Sequence, residues 1–177
     1  MSLRVAVQMD PLEGIAIAGD STFALMLEAQ ARGHRLFHYL AEDLTYEDGR
    51  LRASAREVSV QRVEGDYFQA EAAATIDLAD DVDVVLMRQD PPFDIAYITA
   101  AHLLERLEGK TLVVNDPRSV RDAPEKLFVL DYARFMPPTL ITRSQEELTA
   151  FHRRHGEIVI KPLHGNAGAA VFRVGRD

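Results

Sequence analysis

The chain has 177 residues, 47% of them hydrophobic and 27% charged, with a formal net charge of −8 and no cysteine. That length fits one ordinary domain, or one domain and part of another. The composition excludes disulfides, thiolate metal sites and a cysteine nucleophile, and the negative charge disfavours nucleic acid and anionic membrane surfaces as partners. No apolar run is long enough to span a bilayer, and the start lacks the basic-then-apolar pattern of a secretory signal. A cytoplasmic protein with a real core is expected.

Leu3 to Met9 reads as a first strand, ended by Asp10-Pro11. A polar loop then leads to a helix near Ser21. Phe23, Met26, Leu27 and Ala31 form its apolar stripe, Asp20 or Ser21 caps it, and Gly33 ends it. His34 to Leu40 follows as a second strand, so the opening segment is a βαβ unit with a parallel sheet. Glu47-Asp48-Gly49 marks a turn in a small hairpin expected to interrupt that sheet, and residues 67–80 carry only a loose pattern. Val82 to Met87 is a buried type of strand, followed by the loop Arg88-Gln89-Asp90-Pro91-Pro92-Phe93-Asp94 and a helix from Asp94 to Leu107. Thr111 to Val114 makes another strand, broken by Asn115-Asp116-Pro117. Ligands of open α/β sheets bind beyond the carboxyl ends of strands, and three polar loops converge there: 9–11, 88–94 and 115–117.

Arg121-Asp122-Ala123-Pro124 reads as a boundary, with Pro124 opening a helix that carries Glu125, Lys126, Leu127 and Phe128. Thr139 to Thr142 is expected to be a short strand. Ser144 and Glu147 form a capping box for a helix that Gly156 stops near His155. Two strands, 158–162 and 171–174, then flank the small residues Gly165-Asn166-Ala167-Gly168-Ala169-Ala170. No Gly-Lys-Ser/Thr or following helix accompanies them, so they are not a P-loop. They read as a hairpin tip that can bring backbone N–H groups close to phosphates, and Lys161 beside it supplies a compact positive charge. The plain alternative is an ordinary turn. For Lys126 it is a solvated lysine at a helix start. The pairs His34/His38 and His152/His155 lack a third ligand at metal-site spacing and read as surface or strand residues.

Met9-Asp10-Pro11, Leu25 to Gly33, Val85 to Arg88 with Asp90-Pro91-Pro92-Phe93-Asp94, Glu125 to Phe128 and Ile160 to Leu163 together resemble the bacterial glutathione synthetases, a family of ATP-grasp ligases. The resemblance runs along nearly the whole chain. It implies an α/β fold: a Rossmann-like pre-ATP-grasp domain with a parallel sheet over 1–122, followed at 123–177 by the first part of an ATP-grasp domain. It also implies ATP-dependent ligation of γ-glutamylcysteine and glycine through an acyl phosphate, with ATP and Mg²⁺ (or Mn²⁺) required, in a cytoplasmic homo-oligomer that needs neither nucleic acid nor membrane. Lys126 and Lys161 match the lysines that contact ATP phosphates, and Gly165, Asn166, Ala167 and Gly168 match the loop that covers them. His164, Ala167, Gln89 and Pro124 depart from the family's usual residues. No catalytic side chain is implied, and the family's metal-binding positions have no match here, so the 177 residues alone are expected to be inactive.

Arg88 stands either to attract a substrate carboxylate or to pair with Asp90 or Asp94, and Asp10 either to contact substrate or to cap its own loop. Asp90 joins them as a substrate candidate. The alternatives are another ATP-grasp amide ligase and a non-catalytic nucleotide-binding relative. A dinucleotide-binding fold is disfavoured because Asp10-Pro11 replaces a glycine-rich turn.

Overall fold

The computed structural model describes residues 1–124, 126–164 and 170–176. Two compact units emerge: Met1–Asp90 with Asp94–Asp122, and Ala123–Asp177 with Pro91–Phe93.

The first unit is built on an eight-stranded sheet. Strand β1 (Arg4–Gln8) lies at its centre, with β2 (Arg35–Tyr39) parallel to it on one side and β7 (Val84–Met87) parallel on the other. The parallel strand β8 (Leu112–Val114) follows β7 at the edge. Helix α1 (Ser21–Ala31) crosses from β1 to β2, and α2 (Ile95–Leu104) crosses from β7 to β8. The Asp20 side chain caps α1 by accepting from Phe23 N, and Gly33 leaves the helix at φ +79°, a conformation that favours glycine.

The hairpin of β3 (Leu44–Glu47) and β4 (Arg50–Val60) does not interrupt the sheet but extends it, with β4 antiparallel to β2. Its turn places Asp48 and Gly49 at φ 48° and 84°, as a tight turn between twisted strands requires. Burial along β4 changes phase. Leu51, Ala53 and Ala55 are buried, and then Val58 and Val60. In a strand successive side chains alternate faces, so this one-residue shift sends the first half to one side of the sheet and the second half to the other. The first half pairs with β3 and with β6 (Ala74–Asp77), the second with β2 and with β5 (Phe68–Ala70).

Two cores result. Val5, Val7, Phe23, Met26, Leu36, Val58 and Val60 pack on the α1 face, while Ala6, Tyr39, Leu51, Val85, Met87, Ala101 and Leu104 pack on the α2 face. The chain after β8 is not a plain break but a short helix, α3 (Pro117–Asp122): proline suits a helix's first turn, and Asp116 Oδ1 accepts from Ser119 N at 2.7 Å.

The second unit holds α4 (Gln145–His155) and an antiparallel ladder of β9 (Ile158–Ile160) with β10 (Phe172–Val174). Ser144 Oγ accepts from Glu147 N at 3.3 Å, which is one half of the expected capping box, and Gly156 ends the helix at φ 77°. Among the described residues the helix expected from Pro124 does not form. The Pro124 carbonyl accepts from both Leu127 N and Phe128 N, a tight turn, and a 3₁₀ segment Phe128–Phe135 follows that loses helical geometry at Tyr132. Residues 139–142 are not a strand either. A strand needs a ladder partner, and among the described residues this unit's only ladder is β9 with β10.

Candidate functional site

Strands β1 and β7 lie side by side, but the connection leaving β1 runs to one side of the sheet and that leaving β7 to the other. Such a reversal opens a crevice beyond the strands' carboxyl ends, where α/β sheets take their ligands. Here Arg88 N donates to Gln8 O at 2.8 Å, holding the two strand ends together. Asp10 and the 88–90 loop stand just past them.

Alternation determines where these side chains go. Met87 packs into the α2-side core, so Arg88 turns to the α1 side and Gln89 back again. On the α1 side, Arg88 Nε donates to Thr22 Oγ1 at 3.1 Å and Nη2 to Ser21 Oγ at 2.8 Å. The pairing with Asp90 or Asp94 does not occur. Among the described residues no carboxylate stands at ion-pair distance from Arg88. Asp94 instead caps α2, accepting from Tyr97 N at 3.0 Å. On the other side Gln8 Nε2 donates to Gln89 Oε1, and the fully buried Gln8 keeps its Oε1 without a hydrogen-bond partner.

Asp10 does not cap its own loop. Its Oδ2 accepts from Asp90 N at 2.6 Å, so it pins the loop after β7, and its carbonyl meets His38 Nε2 at 3.2 Å. Burial lowers the pKa of His38, opposed in part by that carbonyl. Tyr97, one turn into α2, is half-buried. Burial raises its pKa, the charge of Arg88 opposes this, and Asp90 and Asp10 reinforce it. The structure thus ties Asp10 to Asp90 by a hydrogen bond and holds Arg88, two residues before Asp90, on Ser21 and Thr22. It adds Ser21, Thr22, Gln8 and Tyr97, which the sequence reading missed. The available signal was the pair of hydroxyl residues opening the helix that follows the central strand.

In the second unit Lys126 sits half-buried in the turn after Pro124, and Lys161 is exposed immediately after β9. The register Ile160↔Phe172 puts Lys161 immediately beyond the ladder's last pair, and Ala170, before β10, has φ 54°. Gly165, Asn166, Ala167 and Gly168 lie outside the described residues, as does Glu125. Among the described residues no cluster of three or more His, Asp or Glu offers a metal site. A separate cavity of about 540 Å³ is lined by Leu104, Glu105, Lys110, Leu112, Asp116 and Arg118. It holds none of the predicted site residues, and Glu105 and Arg118 are already paired with Arg121 and Glu108.

Residues 3–121 match the N-terminal domain of prokaryotic glutathione synthetase, and residues 125–177 match the ATP-grasp domain of prokaryotic glutathione synthetase. A glutathione synthetase of Rhodopseudomonas palustris is 56% identical over 98% of this chain and 55% of its own length. One from Agrobacterium fabrum is 53% identical over 98% and 54%, and one from Escherichia coli O127:H6 is 43% identical over 97% and 54%. The chain spans about half the length of the curated relatives it matches. The solved structure of D-alanyl-alanine synthetase A from Vibrio cholerae superposes with a TM-score of 0.53 at 11% identity, over 98% of this chain and 53% of that one, a likeness of fold.

Proposed function

The chain belongs to the prokaryotic glutathione synthetase family, and from that premise we propose that the whole protein joins γ-glutamylcysteine to glycine at the expense of ATP. The observation that supports this is the order of the two matched domains along one chain. Residues 1–122 are the substrate-side domain in this reading, and residues 123–177 begin the nucleotide-binding domain.

The cysteinyl carboxylate attacks the γ-phosphorus of ATP, and the bond to the ADP oxygen breaks. The glycine amine then attacks the acyl carbon, phosphate leaves, and the amine proton passes to solvent. No side-chain nucleophile is needed. The protein's tasks are to neutralise charge on the transferring group and to keep water from the acyl phosphate. Lys126 and Lys161 serve the first task, the loop of Gly165, Asn166, Ala167 and Gly168 the second, and Asp10, Arg88 and Asp90 receive the acid substrate. Magnesium, implied by the resemblance, finds no ligand cluster among the described residues and has no role assigned to it in them. The enzyme acts in this reading as a cytoplasmic homo-oligomer. Among the described residues no helix is long and apolar enough to cross a membrane.

The test is ADP release by the full-length protein. Release requiring both γ-glutamylcysteine and glycine is expected. Release driven by another acid and amine, or by D-alanine, would move the protein to a different amide ligase, and nucleotide binding without release would make it a non-catalytic relative.

A further inference from the structure

We propose that His38 is a positioning residue: its neutral ring anchors the loop that leaves β1 and carries Asp10, and protonation of the ring re-seats that loop. The proposal rests on the function proposed above, through the part given there to Asp10.

The loop of residues 10–14 is tied down from several directions. His38 Nε2 meets Asp10 O at 3.2 Å, and Asp10 Oδ2 accepts from Asp90 N at 2.6 Å. Tyr67 Oη donates to Leu12 O at 2.9 Å, and Arg56 Nη1 and Nη2 both donate to Glu13 Oε1 at 3.2 Å. Histidine is the residue type among these whose ordinary titration falls between about pH 5 and 8. A carbonyl oxygen accepts and cannot donate, so the ring hydrogen that faces Asp10 stands on Nε2.

The surroundings of His38 make its charge matter. The ring is 2% exposed, and Arg56 is its register partner on the antiparallel strand β4. Residues directly opposite on such strands stand about 4.5–5.5 Å apart. Val7 faces His38 from β1, and Leu36 and Val58 flank it in the α1-side core, none of them charged. The charged groups that act on the ring are Arg56 from β4 and Glu13 from the loop, with the backbone of Asp10 and Met9 as polar neighbours. Protonation therefore adds a second cation beside Arg56 in a place closed to water. Burial opposes this first, Arg56 adds to the opposition, and the two backbone contacts and Glu13 favour it. The imidazolium competes with Arg56 for the Glu13 carboxylate. Glu13 lies three residues after Asp10 in the same loop, so a shift of Glu13 toward the ring moves Asp10 and loosens its bond to Asp90.

Kinetics of the full-length protein between pH 8 and pH 5 test this, together with amide spectra of the isotope-labelled chain. Burial sets the titration of His38 below 6.5, so KM for γ-glutamylcysteine should be level above that value and rise about fivefold below it, while KM for ATP holds. His38→Gln keeps an N–H for Asp10 O but cannot titrate. It should retain the pH 8 value of KM and lose the rise. His38→Leu should raise KM about fivefold already at pH 8, and an unchanged KM for ATP reports that both variants fold. The Asp90 amide resonance of the wild type, which needs no turnover and no variant, should shift with the midpoint of the His38 ring. A KM level across the range, a rise that survives His38→Gln, or an Asp90 amide indifferent to the His38 titration would overturn the proposal even if ADP release proceeds. An Asp90 amide that follows His38 without ADP release from the two substrates would instead overturn the proposed reaction and leave the anchor standing.

Discussion

The two units of this chain are both assembled from helices and strands, but they differ in what those elements bury. In the first, a sheet with a helix on each face encloses two cores, and Phe23, Met26, Leu104 and Ala101 are fully inaccessible to solvent. In the second, Ile158 is the one hydrophobic residue buried among the described residues, while Phe128, Tyr132, Phe135 and Phe172 are exposed. Local signals operate equally well in both: Asp20 caps α1 and Ser144 caps α4. The difference teaches that caps and turns shape an element, whereas a core requires a second layer to face it.

The largest test of this comparison is separation. A fragment ending at Asp122 is expected to unfold cooperatively in urea with dispersed amide resonances, and residues 123–177 alone to show neither. A cooperative transition in the second fragment would break the contrast. Next in size are truncations of large side chains. Phe23→Ala should cost about 3–5 kcal/mol because it leaves a cavity in a closed core, while Phe135→Ala, 73% exposed, should stay within about 0.5 kcal/mol. Chemical denaturation followed by circular dichroism measures both, and a comparable loss for Phe135→Ala would show a core that the second unit's exposures do not reveal.

A smaller effect comes from the caps. Asp20→Ala should lower the stability of the first unit by about 1 kcal/mol, since α1 is packed on the sheet. Ser144→Ala should leave that transition unmoved and appear only as faster amide exchange in α4. The last test is pH. Burial holds the folded pKa of His38 below its ordinary value of 6.5, so the unfolded chain binds more protons between the two values. Stability of the first unit should therefore be level above about pH 6.5 and fall as pH drops from there through the folded pKa. His38→Gln should flatten that slope. A slope that survives the substitution would assign it to other groups.

Much of the first unit was legible because its signals are local. Asp20, Gly33, Asp48-Gly49 and Asp94 each act within a few residues of themselves, and each appears where its chemistry requires. The failures had non-local causes. Residues 139–142 are strand-like in composition but have no ladder partner among the described residues. For Arg88 the sequence leaves two roles open, a substrate carboxylate or a pairing with Asp90 or Asp94; of these the pairing does not form, and the described partners Ser21 and Thr22 are 67 and 66 residues away and reach it only through the α1 crossover. For Asp10 the sequence leaves a substrate contact or a cap for its own loop; the cap does not form, and its carboxylate accepts from Asp90 N, 80 residues on.

The sequence by itself determined the βαβ order, the capped helices, the strand ends that bear polar loops, and the family, because periodicity, turn chemistry and motif are written in consecutive residues. Only the tertiary structure decided that β4 changes face between Ala55 and Val58 to feed two cores, and that Arg88 is held by hydroxyls rather than by a carboxylate. The physical reason is the same for both. A side chain's partner is chosen by which face of the sheet it leaves and which helix crosses that face, and strand pairing fixes these across distances that no local pattern spans.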